Sequence, residues 1–170
     1  MKEKVYLHLI TGSAGVGKTT FANRLENDIN GIITSIANPI KAMALARGWN
    51  GEKDEYGRSL LQLIGRKGRE IHYNIWVNYV LYDMFTAIEL DDIYGHRKKR
   101  YNFIIPDVRF DDEVRFFIDV FGKDNVKVYK ISREGHKSTL TKEQQNDITE
   151  KGVSHQYIDE YVNLKEVYNE

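Results

Sequence analysis

The residues most clearly suited to chemistry lie near the amino terminus, in the segment Gly12-Ser13-Ala14-Gly15-Val16-Gly17-Lys18-Thr19. The spacing G-x-x-x-x-G-K-[ST] lets glycines turn backbone N–H groups inward around phosphate oxygens, and a following helix would point its positive end at the same oxygens. The lysine would reach the β- and γ-phosphates, and the threonine hydroxyl would bind Mg²⁺. The segment therefore predicts a nucleoside triphosphate site, formed by Gly12, Ser13, Ala14, Gly15, Val16, Gly17, Lys18, Thr19 and Thr20.

A second group of chemically suited residues follows later apolar runs. Asp107 stands directly after the run 103–106, where it could hold a Mg²⁺-bound water or act as a base toward a hydroxyl. Capping of the next turn is the structural alternative for this carboxylate. Arg109 and Arg133 also follow apolar runs, and arginine is suited to bidentate contact with phosphate. The catalytic candidates are Lys18, Asp107, Arg109 and Arg133, and the metal ligands are Thr19 and Asp107.

These residues need a scaffold that brings the ends of several strands together. Five apolar, β-prone runs alternate with segments of helical spacing, an order typical of a parallel sheet with helices on both faces. The runs cover residues 5–10, 32–37, 101–106, 126–131 and 157–162. The carboxyl ends of such strands are where ligands bind in open α/β sheets.

The region between the second and third runs is predicted to be helical. Asn38 as N-cap, Pro39 at the first helical position and Gly48 as the stop indicate one short helix. A loop is expected over 49–57. The helical pattern that follows is interrupted by Gly65 and Gly68, and a longer helix is predicted from Trp76 to Leu90. The polar segment 137–152 is expected to be mobile.

Composition excludes several other classes of protein. The chain has 170 residues, which suits a single domain. Its 25 Lys and Arg residues balance 25 Asp and Glu residues, and this zero net charge does not favour binding to nucleic acid. Cysteine is absent, which rules out disulfides and thiolate metal sites. The run 5–10 is too short for a signal peptide or membrane span, so we expect a soluble, cytoplasmic protein.

Four sequence blocks, in this order, resemble those of the bacteriophage deoxynucleoside monophosphate kinases, within the nucleoside monophosphate kinase-like group of P-loop proteins. The first is the segment from Gly12 to Thr19, the phosphate loop. The second, Ala37-Asn38-Pro39-Ile40-Lys41, is similar to the family's A-x-P-[IL]-K segment. The third, Arg58-Ser59-Leu60-Leu61-Gln62-Leu63-Ile64-Gly65, resembles R-x-L-[LM]-Q-x-[LI]-G, with Arg69 and Trp76-Val77 beyond it. The fourth, Pro106-Asp107-Val108-Arg109, resembles P-D-x-R and has Glu113 downstream.

The resemblance implies a P-loop NTPase fold with a helical monophosphate-binding insertion and a short lid. The whole chain, 1–170, would be one kinase domain, with the acceptor-binding region at 38–100 and the lid at 134–156. ATP and Mg²⁺ would bind at the phosphate loop, and a deoxynucleoside monophosphate would bind between strands two and three. The implied acceptor-binding residues are Lys41, Arg58, Gln62, Arg69, Trp76 and Arg109, with core packing as the alternative role for Trp76.

Other functions stay open on the sequence alone. One is a P-loop kinase whose acceptor is a hydroxyl, on a sugar or dephospho-coenzyme A, in which Asp107 would be the base. Another is a regulatory module that hydrolyses ATP slowly without any acceptor. The sequence does not fix the oligomeric state, and a homodimer is compatible with it. A phage origin, and with it a place in the host cytoplasm, is implied only by the resemblance.

Overall fold

The computed structural model describes residues 4–96, 98–135, 140–142 and 152–164. Within these ranges the chain alternates between strands and helices around one sheet. The strands and α-helices, in chain order, are β1 (Lys4–Thr11), α1 (Lys18–Ile29), β2 (Ile32–Ile33), α2 (Ala37–Leu45), α3 (Glu55–Ile71), α4 (Ile75–Ile93), β3 (Arg100–Ile105), α5 (Asp111–Phe121), β4 (Val126–Ser132) and β5 (Glu160–Asn163).

The sheet has five strands, all parallel, in the order β2-β3-β1-β4-β5. The central strand β1 pairs with β3 through Leu7 and Phe103, and with β4 through Leu7 and Val126. Because all strands run the same way, the carboxyl ends of β1, β3 and β4 meet at one edge. The predicted α/β fold class with a five-stranded parallel sheet is confirmed.

The core lies in two layers, one on each face of this sheet. Phe103 and Ile105 of β3 belong to the layer that also contains buried residues of α4 and α5, whereas Ile104 belongs to the layer that contains α1. Successive residues of a strand point to opposite faces, so a strand covered on both sides carries apolar residues at adjacent positions and not only at alternate ones. The continuous apolar runs in the sequence have this cause, and the predicted helices on both faces are confirmed.

Strand β2 is much shorter than the predicted run 32–37, and the start of α2 also differs from the prediction. Only Ile32–Ile33 pair with β3, and α2 begins at Ala37 with Ile36, not Asn38, in the N-cap position. The chain leaves the sheet after Ile33 because the residues at the start of α2 donate hydrogen bonds to the Asp107 carboxylate, just beyond the end of β3. The Asp107 carboxylate, distant in sequence, therefore caps the start of α2, the role that the sequence pattern assigned to Asn38.

Helix α3 is continuous from Glu55 to Ile71, so the prediction of an interruption at Gly65 and Gly68 is wrong. The helix also begins inside the expected loop, because the Asp54 side chain accepts a hydrogen bond of 2.7 Å from the N–H of Gly57. At Gly68 a Cβ atom would lie 2.0 Å from the ring of Trp76. The glycine therefore lets α3 and α4 approach closely and does not break the helix.

The predicted lid falls partly outside the described residues. The expected lid at 134–156 is described only at residues 134–135, 140–142 and 152–156. No helix in the described ranges has both the length and the apolar character needed to cross a bilayer.

Candidate functional site

The phosphate loop joins β1 to α1 and has the backbone geometry that its glycines predict. Gly12, Gly15 and Gly17 have φ angles of 145°, 77° and 107°, in the left-handed region that favours glycine. At Gly12 there is also no room for a side chain, because a Cβ atom would lie 2.5 Å from the carbonyl oxygen of Ile131. The motif glycines are thus required by the shape of this loop.

Lys18 lies across the phosphate loop. Its Nζ donates hydrogen bonds to the carbonyl oxygens of Gly12 at 2.6 Å and Ser13 at 2.7 Å. Helix α1 begins at Lys18 without an acidic residue in its first turn, so the positive end of the helix faces the loop without a local countercharge from that turn. Thr19 and Thr20 are exposed in the same turn. This geometry suits an anion held by the loop and the helix terminus together.

A pocket of about 160 Å³ lies beside the phosphate loop and includes Ala14 of that loop in its wall. The remaining wall comes from α2, α3, the residues before each of them, the segment after β3, and Leu140. The predicted site residues that line it are Ala14, Lys41, Arg58, Gln62, Arg69, Asp107 and Arg109. Residues far apart in the sequence therefore meet at one place, next to the loop expected to hold a triphosphate.

Arg69 is held in a fixed position at the wall of this pocket. Its Nη2 donates to Oε1 of Glu113 at 2.8 Å, and its Nη1 donates to the carbonyl oxygen of Gly65 at 3.2 Å. The guanidinium also lies over the Phe110 ring, 4.5 Å from the centroid. An arginine fixed by three contacts can meet an anion without first losing side-chain freedom.

Glu113 is the buried carboxylate that organises this part of the site. Only 6% of it is exposed, and its other oxygen accepts hydrogen bonds from the backbone N–H groups of Arg109 at 2.8 Å and Phe110 at 3.2 Å. Burial raises the pKa of the Glu113 carboxyl, and the Arg69 guanidinium and the two N–H donors oppose that rise. One side chain thus fixes both the Arg69 guanidinium and the backbone that carries Arg109.

Asp107 joins the end of β3 to the start of α2. Its Oδ2 accepts hydrogen bonds from the Ser35 hydroxyl at 2.8 Å and the Ala37 N–H at 2.7 Å, and its Oδ1 accepts one from the Ile36 N–H at 3.0 Å. The carboxylate therefore caps a helix, as the structural alternative supposed, but this helix lies earlier in the chain. It also lines the pocket, so the predicted metal role stays a prediction.

Outside the phosphate loop, two predicted site residues, Trp76 and Arg133, do not line the pocket. Trp76 is 2% exposed, and its Nε1 donates to the carbonyl oxygen of Gly65 at 2.9 Å, so the indole belongs to the packing between α3 and α4. Arg133 is exposed just after β4, two residues beyond Ile131, whose carbonyl faces Gly12. Its predicted contact with the transferred phosphoryl group stays a prediction.

Lys53 and Leu140 line the pocket, although no sequence pattern assigned either of them to the site. Lys53 belongs to the segment expected to be a plain loop, and Leu140 to the segment expected to be mobile. The pKa of the Lys53 ammonium is lowered by partial desolvation and by the neighbouring charges of Lys41 and Arg58. No motif marks either residue. The one sequence signal for Lys53 is that it lies between two other predicted site cations, Lys41 and Arg58.

The donor set suits a metal ion bound mainly by phosphate oxygens. In the ranges that the structure describes, no three metal-ligating His, Cys, Asp or Glu side chains gather at one place. Mg²⁺ commonly keeps its waters and takes one or two protein oxygens together with the phosphates of a substrate. The Thr19 hydroxyl, exposed next to the phosphate loop, fits that use.

Likeness to known proteins is found at the level of structure. No protein-family model matches the sequence, and the curated proteins searched gave no match. Among solved structures, the chain is similar to a dephospho-CoA kinase from Campylobacter jejuni, with 14% sequence identity and a TM-score of 0.41. The likeness covers 94% of this chain and 88% of that chain. It is too weak to bear on substrate, so we infer function from the site residues.

Proposed function

We propose that this protein transfers the γ-phosphoryl group of ATP to a deoxynucleoside monophosphate and forms ADP and the diphosphate. The observation that carries the proposal is the pocket beside the phosphate loop, whose wall contains Lys41, Lys53, Arg58, Arg69 and Arg109. Two nearby carboxylates have partners of their own. Glu113 forms an ion pair with Arg69, and Asp107 accepts three hydrogen bonds from the residues at the start of α2. A wall so rich in cations suits an acceptor that is itself an anion.

The chemistry asked of the protein is positioning and charge stabilisation. A phosphate monoester is already largely ionised at neutral pH, because its second pKa is about 6. It can therefore attack the γ-phosphorus in line without a general base, and the β–γ bond breaks as ADP leaves. The cations hold the two anionic substrates together, and Lys18 meets the charge of the transferred group. Thr19, with Asp107 as the second predicted ligand, would hold Mg²⁺, which would offset the negative charge of the phosphates.

The contacts of Asp107 favour a phosphate acceptor over a hydroxyl acceptor. A hydroxyl on a sugar or on dephospho-coenzyme A needs a base, and Asp107 is the carboxylate predicted for that role. Both of its oxygens already accept hydrogen bonds that hold the start of α2. A carboxylate used in this way suits a structural or metal-binding role better than repeated proton transfer.

Substitution of Asp107 separates these two mechanisms. For a phosphate acceptor, Asp107→Asn should retain turnover, with a higher Mg²⁺ concentration needed for half-maximal rate. For a hydroxyl acceptor, the same change should abolish turnover at every Mg²⁺ concentration. Ser35→Ala is the matched control, because it removes one hydrogen bond to the same carboxylate and leaves the charge in place.

The proposed activity is tested by ADP formation with ATP and Mg²⁺ against a panel of ribo- and deoxynucleoside monophosphates, with dephospho-coenzyme A and water as further acceptors. We expect at least one deoxynucleoside monophosphate to stimulate ADP release well above the rate with water, with the diphosphate as product. A slow regulatory ATPase would instead give the same rate with every addition. If no monophosphate stimulates the reaction, the proposal is wrong.

The proposal extends to the setting and the assembly of the enzyme. ATP and monophosphates are cytoplasmic metabolites, so we place the reaction in the cytoplasm, and in that of the host cell if a phage encodes the protein. We also propose a homodimer, supported by the exposed apolar side chains along α4. Neither nucleic acid nor membrane has a part in the proposed reaction.

A further inference from the structure

We infer that Lys53 binds the phosphate of the acceptor, and that the segment 49–54 is built to hold it at the pocket. The inference rests on the proposed function and adds a specific residue to it. Lys53 lines the pocket together with Arg58, Arg69 and Arg109. The ligand we assign to it is a phosphate monoester, not a hydroxyl or a nucleobase.

The segment that carries Lys53 is a structured turn. The indole Nε1 of Trp49, a buried residue, donates to the carbonyl oxygen of Glu52 at 2.9 Å. The backbone N–H of Glu52 donates to Oδ1 of Asn50 at 3.0 Å. A Cβ atom at Gly57 would lie 2.1 Å from the carbonyl oxygen of Glu52, so the turn packs directly on α3. These contacts fix the backbone on the amino-terminal side of Lys53.

The backbone on the other side of Lys53 is fixed as well. Asp54 caps α3 through its hydrogen bond from the Gly57 N–H. The carbonyl oxygen of Lys53 accepts a hydrogen bond of 2.8 Å from Nε of Arg58, which is itself a pocket residue. This hydrogen bond couples the Arg58 side chain to the backbone of Lys53, so the two cations are held next to each other at the pocket.

Cations predominate among the charges that act most strongly on the Lys53 ammonium. The largest of these effects come from Lys41 on α2, Arg58 on α3, and Asp107 and Arg109 after β3. Three of these four are cations, and Asp107 accepts its hydrogen bonds from the start of α2. A doubly charged phosphate in the pocket would relieve this repulsion, whereas a neutral ligand would leave it in place.

The test compares Lys53→Met with Lys53→Arg in steady-state kinetics, using the monophosphate that the wild type accepts best. We expect Lys53→Met to raise the KM for the monophosphate about tenfold or more, the loss typical of one charge-assisted hydrogen bond. The KM for ATP should change less than about twofold, since a contact confined to the acceptor does not touch the donor. Lys53→Arg, which keeps the charge, should recover most of the affinity.

Two controls make the outcomes distinct. Lys67→Met removes an exposed lysine on α3 that is paired with Glu70, and it should leave both KM values unchanged. Calorimetry with the deoxynucleoside lacking phosphate should show equal binding to wild type and Lys53→Met. The inference about Lys53 is wrong if the Lys53→Met variant is active and its KM for the monophosphate is unchanged. It is also wrong if the KM for ATP rises as much as the KM for the monophosphate. Either result leaves the proposed function standing. A wild type that neither binds nor phosphorylates any monophosphate overturns the proposed function together with the inference.

Discussion

Glu113 connects Arg69 and Arg109, two of the arginines that we assign to the acceptor, so its substitution tests the site at the scale of one residue. Glu113→Gln keeps an oxygen for the backbone N–H groups of Arg109 and Phe110 but removes the charge that holds Arg69. We expect the KM for the monophosphate to rise several-fold while the KM for ATP is unchanged. The free energy of unfolding should fall by about 1–3 kcal/mol, because a largely buried guanidinium loses its partner.

The control for this prediction is the double variant Arg69→Met/Glu113→Gln. The double variant has no Arg69 guanidinium that could lack a partner. Its free energy of unfolding should therefore be higher than that of Glu113→Gln alone. The KM for the monophosphate should stay high, because Arg69 is gone. Urea denaturation measures the first effect and steady-state kinetics the second. A single Glu113→Gln variant with wild-type stability and kinetics would contradict the assigned role.

Motifs predicted many of the single residues in this site, but they did not predict the contacts between them. Arg69, Asp107 and Arg109 were all found from local patterns, and all line the pocket. The Arg69–Glu113 pair spans 44 positions and the Ser35–Asp107 hydrogen bond spans 72, distances over which no local pattern carries information. Lys53 was missed because a lone lysine in a polar segment looks like any surface charge.

At the scale of elements, the approach of α3 to α4 depends on one glycine. Gly68→Ala would place a methyl group 2.0 Å from the Trp76 ring, so the helices must separate or the ring must turn. We expect the free energy of unfolding to fall by about 1–3 kcal/mol, as in other overpacked cores. Because α3 carries Arg58, Gln62 and Arg69, the KM for the monophosphate should also rise.

Gly65→Ala in the same helix is the matched control for Gly68→Ala. A Cβ atom at Gly65 would meet its nearest neighbours, atoms of Arg69 and Ile40, at an ordinary 3.4 Å. Alanine is the better helix former, so this change should leave the protein equally stable or add up to about 1 kcal/mol. Thermal denaturation compares the two variants. Equal destabilisation by both would show that helix contact at Gly68 is not the cause.

The sequence predicted the central elements better than the peripheral ones, for a physical reason. The runs for β1, β3 and β4 agree with the structure to within one residue at each end, because a strand covered on both faces is marked by apolar residues at adjacent positions. β2 has only two paired residues, and its prediction was too long because the following residues are held by Asp107. In α3, glycines that serve close packing have the same sequence signature as glycines that end a helix.

At the scale of the whole molecule, the zero net charge conceals an uneven distribution. Five basic side chains line the pocket, whereas Asp107 is the one acidic side chain in its wall among the described residues. The balanced composition therefore gave no indication of a local anion site. The topology explains this local excess: Arg109 follows β3 at the carboxyl edge of the sheet, and α2, α3 and the turn before α3 place the other four cations beside it.

The last prediction concerns α4, which exposes apolar side chains on its outer face as well as burying them on its inner face. Tyr82 is 70% exposed, and Tyr79, Phe85 and Ile93 are also exposed on the same helix. In a dimer with two-fold symmetry, the outer face of α4 would pack against the same face of the second copy. The helix is about 28 Å long, so its exposed apolar side chains could be covered together. We expect sedimentation and light scattering to give twice the 19.8 kDa chain mass, and Tyr82→Lys to give the monomer. Val120→Lys, on an exposed apolar residue of α5, should leave the dimer intact, and a monomeric wild type at micromolar concentration would refute the prediction.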